Sequence, residues 1–181
     1  MYKRIDVLLE GPDDVRFFDA ILRPILRRKY DYVQTWQYAG EKRERINNYL
    51  RAIKAMKADS LFFKDINTSP CVAAKKETIQ KVYRKVIEPA NVFIVVLEIE
   101  SWYLAGLDNG NCKQLGIRVS FKTDNIAKEQ FNGLIPKKFD SRIDFMIEVL
   151  KRFSIETAKQ KNRSFDYFMS RIEQDSADGR H

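Results

Sequence analysis

Carboxylates follow three apolar segments of the sequence, and their placement is compatible with metal-ion chemistry. Glu10 ends the first segment, Asp65 the third and Glu98 the fourth. If these segments are parallel strands, their carboxyl ends meet at one edge of a sheet, where open α/β sheets bind ligands. Asp14 follows Glu10 by one helical turn, and Glu100 lies beside Glu98. Oxygen-only clusters of this type suit Mg²⁺ or Mn²⁺, which activate water and stabilise the charge that develops in phosphoryl transfer.

Each acid also has a purely structural explanation. Asp13 and Asp14 fall in the first turn of a helix, where carboxylates favour the positive helix end. Asp65 precedes the turn-rich segment 67–70 and could cap it. Three acids at strand ends are harder to explain in this way, because like charges brought together destabilise a fold unless a cation is present. Both interpretations stay open at the level of single residues.

Some residue types are scarce in the sequence, and their scarcity excludes several kinds of catalytic and metal site. The chain has one His, the terminal His181, which nearly excludes His-based catalysis and His-rich metal sites. Two cysteines, Cys71 and Cys112, are too few for a disulfide framework or a zinc cluster, and we expect free thiols. Ser69 and Ser101 have no His partner for a Ser-His-Asp site. The sequence also has no phosphate-binding loop of the GxxxxGK[ST] type.

The hydrophobic pattern supplies the elements that could hold these acids. Strand and helix patterns alternate four times between residues 1 and 106, which predicts an α/β fold with a mainly parallel sheet flanked by helices. We expect helices to begin at Pro12, to cover the stripe Ile46–Met56, and to run over residues 73–87 and Ser101–Gly106. The predicted strands are Arg4–Leu9, Tyr32–Tyr38, Leu61–Lys64 and Val92–Leu97.

The pattern changes after Gly110. Two apolar stripes at helical spacing, Ile143–Phe153 and Phe165–Ile172, predict a helical extension. We therefore expect an α/β domain over residues 1–110 and a helical extension over residues 111–181, packed as one globular unit. Residues 175–181 are expected to form a frayed tail.

Two segments resemble a known family. Glu10-Gly11-Pro12-Asp13-Asp14, between a strand and a helix, resembles the first motif of the TOPRIM fold, in which a Gly permits a tight turn after the Glu. Its spacing is similar to the Glu-Gly-x-x-Asp pattern of the overcoming-lysogenisation-defect (OLD) nucleases. The segment 96–105, which contains Glu98-Ile99-Glu100-Ser101-Trp102, resembles the EIEAWLLAD signature of small prokaryotic TOPRIM-like proteins. The segment Ser164-Phe165-x-x-Phe168 is similar to the end of that family.

The resemblance implies a TOPRIM or Rossmann-like sheet and a nuclease that uses Mg²⁺ or Mn²⁺. The implied catalytic residues are Glu10, Asp14, Asp65 and a lysine such as Lys64, with Lys137 and Lys138 as other candidates. The implied metal ligands are Glu10, Asp14, Asp65, Asn67, Glu98 and Glu100. One departure stands out, because the second TOPRIM motif is usually Asp-x-Asp and here reads Asp65-Ile66-Asn67. Asn67 can coordinate through its carbonyl oxygen but carries no charge.

The charge balance favours a polyanionic partner such as nucleic acid. The chain carries 33 Lys and Arg against 25 Asp and Glu, a formal charge of +8. A solvated surface is the alternative for any one basic cluster. For the aromatic residues Trp36, Tyr38 and Trp102 we favour packing over base stacking. The candidate phosphate contacts are Arg27, Arg28, Lys42, Arg43, Lys75 and Lys76, with further basic residues at Lys81, Arg84 and Lys85.

Three functions compete at this point. The first is a TOPRIM-like, metal-dependent nuclease of DNA or RNA in a defence or repair system, with a separate ATPase as a possible partner. The second is a degenerate scaffold that binds nucleic acid or a partner without cleaving it. The third is a phosphoacceptor switch, because an acid after the first strand and Asp65 after the third are similar to receiver domains. No apolar run reaches the length of a membrane helix and no signal peptide is evident, so we expect a cytoplasmic protein.

Overall fold

The computed structural model describes residues 2–83, 86–119 and 121–177, with only the backbone described for residues 175–177. The chain forms two compact units, Met1–Val95 and Val96–His181. The expected division at residue 110 into a domain and a packed extension stays a prediction. Arg84, Lys85 and the last four residues of the expected tail lie outside the described residues. The preceding part of that tail, through Ala177, is helical.

The strands of the first unit are β1 (Arg4–Leu9), β2 (Tyr32–Gln37), β3 (Asp59–Asp65) and β4 (Val92–Val95). They form a four-stranded sheet in the order β2-β1-β3-β4. All three strand pairs are parallel, as the alternating strand and helix pattern predicts. The strand order reverses direction between β1 and β3, because β2 and β4 lie on opposite sides of this central pair.

Helices cover both faces of this sheet. Their bounds are α1 (Pro12–Phe17), a π-helical segment (Phe18–Leu22), α2 (Arg23–Leu26), α3 (Arg43–Ala55), α4 (Val72–Val82) and a 3-10 turn (Pro89–Asn91). On one face, Ile46, Leu50 and Ile53 of α3 and Ile79 of α4 join a core cluster with strand residues such as Phe62. The connection from β1 to β2 places α1, the π-helical segment and α2 on the opposite face, by the right-handed rule for parallel crossovers.

Two predicted elements of the first unit end two or more residues earlier than expected. The helix expected over residues 73–87 ends at Val82, because Tyr83 leaves the helical region with φ −113° and ψ 36°. The strand expected to reach Leu97 ends at Val95, since Leu97 has a left-handed backbone with φ 61°. An apolar run indicates that residues are buried, and the turn that follows a strand can be buried as well as the strand itself. The length of the run therefore overestimates the length of the strand.

One strand position is charged and fully buried. The Asp6 side chain points to the same face of the sheet as the Leu8 side chain and is 0% exposed. Arg4 donates to both of its oxygens, at 2.7 and 2.8 Å, and the Tyr49 hydroxyl donates to Oδ1 at 2.8 Å. The alternating pattern places the Asp6 carboxylate on a face that is otherwise apolar. The two bonds from Arg4 and the bond from Tyr49 satisfy its hydrogen-bonding capacity there.

The second unit is helical over its described residues. Both helices predicted from apolar stripes are present, as α8 (Arg142–Lys151) and α10 (Arg163–Ala177). The helix predicted at Ser101–Gly106 is α5 (Glu100–Ala105). Three short helices lacked a long enough stripe to be predicted: α6 (Asn109–Leu115), α7 (Lys128–Gly133) and α9 (Ile155–Lys161).

Several predictions about single residues are confirmed by their burial. Trp102 is a core residue at 1% exposure, and Tyr38 is buried at 5%. The Trp36 ring packs on Tyr49, with ring centroids 4.3 Å apart. Both cysteines are free thiols, Cys71 exposed and Cys112 buried. Among the residues that the structure describes, we find no helix with the length and hydrophobicity needed to cross a membrane.

Candidate functional site

Glu10 and Lys64 meet where the two central strands end. In the parallel register Leu8 lies opposite Phe62, so two further residues along each strand bring Glu10 opposite Lys64. The Lys64 ammonium forms an ion pair with Glu10 Oε1, and the Asp65 backbone N–H donates to Glu10 Oε2 at 3.2 Å. Both oxygens of Glu10 are therefore engaged by the end of the neighbouring strand.

Tyr38 lies beside this pair. Its hydroxyl donates to the carbonyl oxygen of Phe63 at 2.6 Å, and the Lys64 ammonium lies 5.5 Å from the centre of its ring. Burial raises the pKa of Tyr38 well above its ordinary value, and the negative charges of Glu10, Asp14 and Asp65 raise it further. Three of the predicted acids therefore act on one phenol, which locates them in one region at the carboxyl edge of the sheet.

Asp14 is buried at 8% exposure and connects this edge to the first helix. Its Oδ2 accepts the Gly11 backbone N–H at 3.0 Å, which satisfies one of the unpaired donors at the helix start. Asp13 pairs instead with Arg16, at 2.5 Å. Gly11 itself has φ −135°, an extended conformation open to any residue. The tight turn that the TOPRIM resemblance implies at this glycine is therefore not a positive-φ turn.

Asp65 ends β3, and Asn67 forms the turn that follows. The Ile66 N–H donates to the Val95 carbonyl at 3.0 Å, which extends the β3–β4 pairing by one residue. Asn67 has a left-handed backbone with φ 49°, and its Nδ2 donates to the Asp65 carbonyl oxygen at 3.4 Å. Asn is among the few residues that adopt this conformation readily, so the residue that replaces the second Asp of the motif also stabilises the turn.

Glu98 and Glu100 belong to the second unit, and their convergence with Glu10 stays a prediction. Glu98 Oε2 accepts the Lys128 backbone N–H at 2.5 Å, at the first residue of α7. Glu100 is buried at 4% exposure, and one of its oxygens pairs with Arg142 at 2.5 Å. Of the two, Glu98 is the more accessible carboxylate, whereas Glu100 lies in a buried ion pair.

The predicted phosphate contacts fall in different parts of the first unit. Lys42 and Arg43 are exposed at the start of α3, a few residues after Ala39, whose N–H donates to the Glu10 carbonyl. Arg27 and Arg28 are exposed at the opposite edge, where residues 31 and 32 bond to the carbonyl that precedes β1. The remaining two, Lys75 and Lys76, are half-buried on α4, and the Lys76 ammonium lies 3.5 Å from the Pro89 carbonyl oxygen.

The acids fit Mg²⁺ or Mn²⁺ by their chemistry, since hard carboxylate oxygens are the ligands that these ions prefer. The spacing of these acids in the structure, however, does not form a metal site. Within residues 2–83, 86–119 and 121–177, no three Asp, Glu, His or Cys side chains lie close enough together to hold one ion. The Lys64 ammonium pairs with Glu10 and so occupies the place of a counter-cation.

Two members of this site have no clear signal in the sequence. Tyr38 was recognisable only as one of two aromatic residues on a strand, and its position between three acids follows from the pairing of β2 with β1. Lys64 was one of three candidate lysines. The feature that distinguishes it is its position beside the strand-end Asp65, because adjacent parallel strands end together and bring Lys64 to Glu10.

The four-stranded parallel sheet flanked by helices defines an α/β protein, consistent with a TOPRIM or Rossmann-like fold. A solved structure similar to the chain is the C-terminal region of the Burkholderia pseudomallei OLD protein, with 13% identity and 96% of each chain covered. The TM-score is 0.42, a value that does not establish a common fold. No protein-family model and no curated protein sequence matches the chain.

Proposed function

We propose that this protein is a metal-dependent phosphodiester hydrolase of the TOPRIM type that acts on DNA or RNA. The observation that carries the proposal is the position of Glu10, Lys64 and Asp65 at the ends of the two central strands. The strand order reverses between these strands, and open α/β sheets bind their ligands in the crevice at such a point. Carboxylates in this crevice could hold a metal ion, and a lysine there could stabilise the charge that develops in phosphoryl transfer.

The roles of the residues follow from their surroundings. Glu10, Asp14 and Asp65 would hold Mg²⁺ or Mn²⁺, with Glu98, Glu100 and the Asn67 carbonyl as further candidate ligands. When bound, the ion would supply activation of water and stabilisation of negative charge. Lys64 would orient the phosphate and stabilise the charge that develops on its oxygens. Tyr38 holds the end of β3 through Phe63 and, with its raised pKa, stays protonated at neutral pH.

The test is cleavage of plasmid and single-stranded DNA and RNA with Mg²⁺ or Mn²⁺, together with the shift in melting temperature that each ion causes. We expect Glu10→Gln and Asp65→Asn to abolish both cleavage and the shift, because each removes a charged ligand. Glu77→Gln is the matched control, since Glu77 is an exposed acid of α4 paired with exposed Lys81. A wild-type protein that neither cleaves any of these substrates nor shifts with either ion would contradict the hydrolase.

Lys64 offers a more specific prediction. Because its ammonium now neutralises Glu10, we expect Lys64→Met to lower the Mn²⁺ concentration at half-saturation and to abolish cleavage. The two quantities would be measured by titration calorimetry and by the plasmid assay. A variant that binds Mn²⁺ more weakly than the wild type would show that Lys64 supports the ion and does not compete with it.

A second function has an observation in its favour. Both oxygens of Glu10 are already bonded, and Asn67 replaces the second acid of the motif. A degenerate site of this kind could serve a module that binds nucleic acid or a partner without cleaving it. Salt-dependent binding that survives EDTA and Glu10→Gln would favour this module. A role in defence or repair beside a separate ATPase is part of the proposal under either function.

A further inference from the structure

The peptide that leads to Glu98 has an unfavourable backbone conformation. Leu97 has φ 61°, in the left-handed region that side chains with a Cβ rarely occupy. Strained backbone of this kind persists only where the surrounding structure imposes it, and it concentrates at functional sites. The contacts that impose it on Leu97 therefore bear directly on where Glu98 points.

Two serines hold the residue before Leu97 from both sides. The Val96 N–H donates to Ser164 Oγ, and the Ser101 hydroxyl donates to the Val96 carbonyl oxygen, each at 3.4 Å. On the other side of Leu97, the Ser101 N–H donates to the Glu98 carbonyl oxygen at 3.0 Å. The turn is thus bonded immediately before and after its strained residue.

Asn162 organises these contacts from a position with no exposure to solvent. Its Oδ1 accepts the Phe165 N–H at 3.0 Å and the Ser164 hydroxyl at 2.8 Å. Its Nδ2 donates to Ser101 Oγ at 3.3 Å and to Thr123 Oγ1 at 3.2 Å. All four hydrogen-bonding positions of the amide are therefore used.

The direction of every bond in this network is determined. A backbone N–H can only donate, so the amide atom that faces Phe165 must be Oδ1. The Trp102 indole N–H can also only donate, and it bonds Ser164 Oγ at 2.7 Å. Ser164 must then give its own proton to Asn162, which leaves its second lone pair for the Val96 N–H. A buried network in which every group is satisfied favours a single arrangement of its members.

We infer that Asn162 and Ser164 are positioning residues that impose the left-handed turn at Leu97 and thereby direct the Glu98 carboxylate. The inference rests on the proposed function in one respect, namely the assignment of Glu98 as a metal ligand. It also explains why the 96–105 and Ser164-Phe165 segments belong together, because the first supplies Val96 and Trp102 and the second supplies their partner Ser164.

The experiment compares Ser164→Ala, which removes the hydroxyl, with Ser164→Thr, which keeps it. The first readout is hydrogen exchange at the amides of Leu97 and Glu98 in the full chain, and the second is the Mn²⁺ half-saturation concentration. We expect Ser164→Ala to speed exchange at these amides and to raise the half-saturation concentration about 10-fold, as loss of a group that orients a ligand does. Ser164→Thr should restore both.

Ser141→Ala is the control, because Ser141 caps α8 through the Asp144 N–H and takes no part in the network. It should lower the melting temperature without changing either readout. In a Glu98→Gln background, Ser164→Ala should no longer affect Mn²⁺ binding, since the residue through which it acts is gone. An unchanged effect in that background, or unchanged exchange at Leu97 and Glu98, would overturn the inference.

Failure of the proposed function would give a different experimental result from failure of this inference. A wild-type protein that binds no Mn²⁺ would remove the metal site and the assignment of Glu98 as a ligand. The exchange measurement would still decide whether Asn162 and Ser164 hold the turn. A Ser164→Ala variant with faster exchange but unchanged Mn²⁺ binding would leave the network as a structural contact and overturn its positioning role.

Discussion

Tyr38 is the residue at which burial and charge act together in the first unit. It is 5% exposed, and Glu10, Asp14 and Asp65 all raise its pKa above the ordinary value of 10.0. Its protonated hydroxyl is also the form that can donate to the Phe63 carbonyl. The folded protein therefore keeps this proton at a pH where the unfolded chain loses it.

This difference predicts how stability depends on alkaline pH. Above pH 10 the unfolded chain binds fewer protons than the folded one, so the free energy of unfolding falls by about 1.4 kcal/mol per pH unit for each such tyrosine. Tyr38→Phe has no proton to lose, and its fall between pH 10 and 11 should be smaller by about 1 kcal/mol, because the unfolded phenol is only half ionised at pH 10. At pH 7 it should be less stable by about 1 kcal/mol, the usual value of one hydrogen bond.

The measurement is urea unfolding at pH 7, 10 and 11. Tyr2→Phe is the control, because it removes a phenol that is 69% exposed. A Tyr38→Phe slope equal to that of the wild type would mean that the phenol ionises as readily in the folded protein as in the unfolded chain.

At the scale of elements, the end of α5 is packed without room for one more carbon atom. A Cβ added at Gly106 would lie 2.2 Å from the Phe153 ring, and the Ser154 N–H donates to the Gly106 carbonyl oxygen at 2.9 Å. Gly106 has φ −74°, so its backbone would accept any residue. The requirement for glycine at this position is therefore steric and comes from the segment after α8.

We expect Gly106→Ala to lower the free energy of unfolding by about 1–3 kcal/mol, the typical cost of overpacking. Gly133→Ala is the matched control, because among the described residues no atom beyond its chain neighbours and its own helix backbone lies within 4 Å of the added carbon. It should be neutral or stabilise the protein by up to about 1 kcal/mol, since alanine reduces the entropy of the unfolded chain. Thermal and urea unfolding of both variants would measure the difference, and equal values would show that Phe153 moves aside freely.

At the scale of the whole molecule, the formal charge of +8 has a spatial pattern that its total does not reveal. In the first unit, Lys42 and Arg43 lie near the edge that carries Glu10, whereas Arg27 and Arg28 lie at the opposite edge. A nucleic acid bound at the acid-lined crevice would contact the first pair and leave the second in solvent. Because the two pairs carry the same charge, replacing each pair in turn tests at which edge a polyanion binds.

We expect the double variant Lys42→Gln, Arg43→Gln to weaken duplex DNA binding. The slope of log affinity against log salt should fall by about 2, because each lost phosphate contact removes roughly 0.9 from it. The double variant Arg27→Gln, Arg28→Gln loses the same charge and should change the slope little. Fluorescence anisotropy at several salt concentrations measures both, and equal effects would indicate a diffuse electrostatic attraction.

Much of the fold could be predicted because its signals are local. Apolar runs bounded by turn residues marked the four strands, and stripes at helical spacing marked α3, α8 and α10. The acids at the strand ends were visible for the same reason, since strands of a parallel sheet all end at one edge. The helix after β3 was predicted too long because a charged amphipathic pattern continues past Tyr83, where the backbone turns away.

By itself, the sequence determined the residue types at the strand ends, the scarcity of histidine and the parallel α/β pattern. Only the tertiary structure decided which strands are neighbours, and this choice pairs Glu10 with Lys64 and brings Tyr38 under the influence of three acids. It also decided that Arg142 pairs with the buried Glu100 and that Asn162 joins Ser101 to Ser164. The physical reason is that hydrophobic periodicity is encoded over a few residues, whereas ion pairs and buried hydrogen bonds depend on partners distant in the chain.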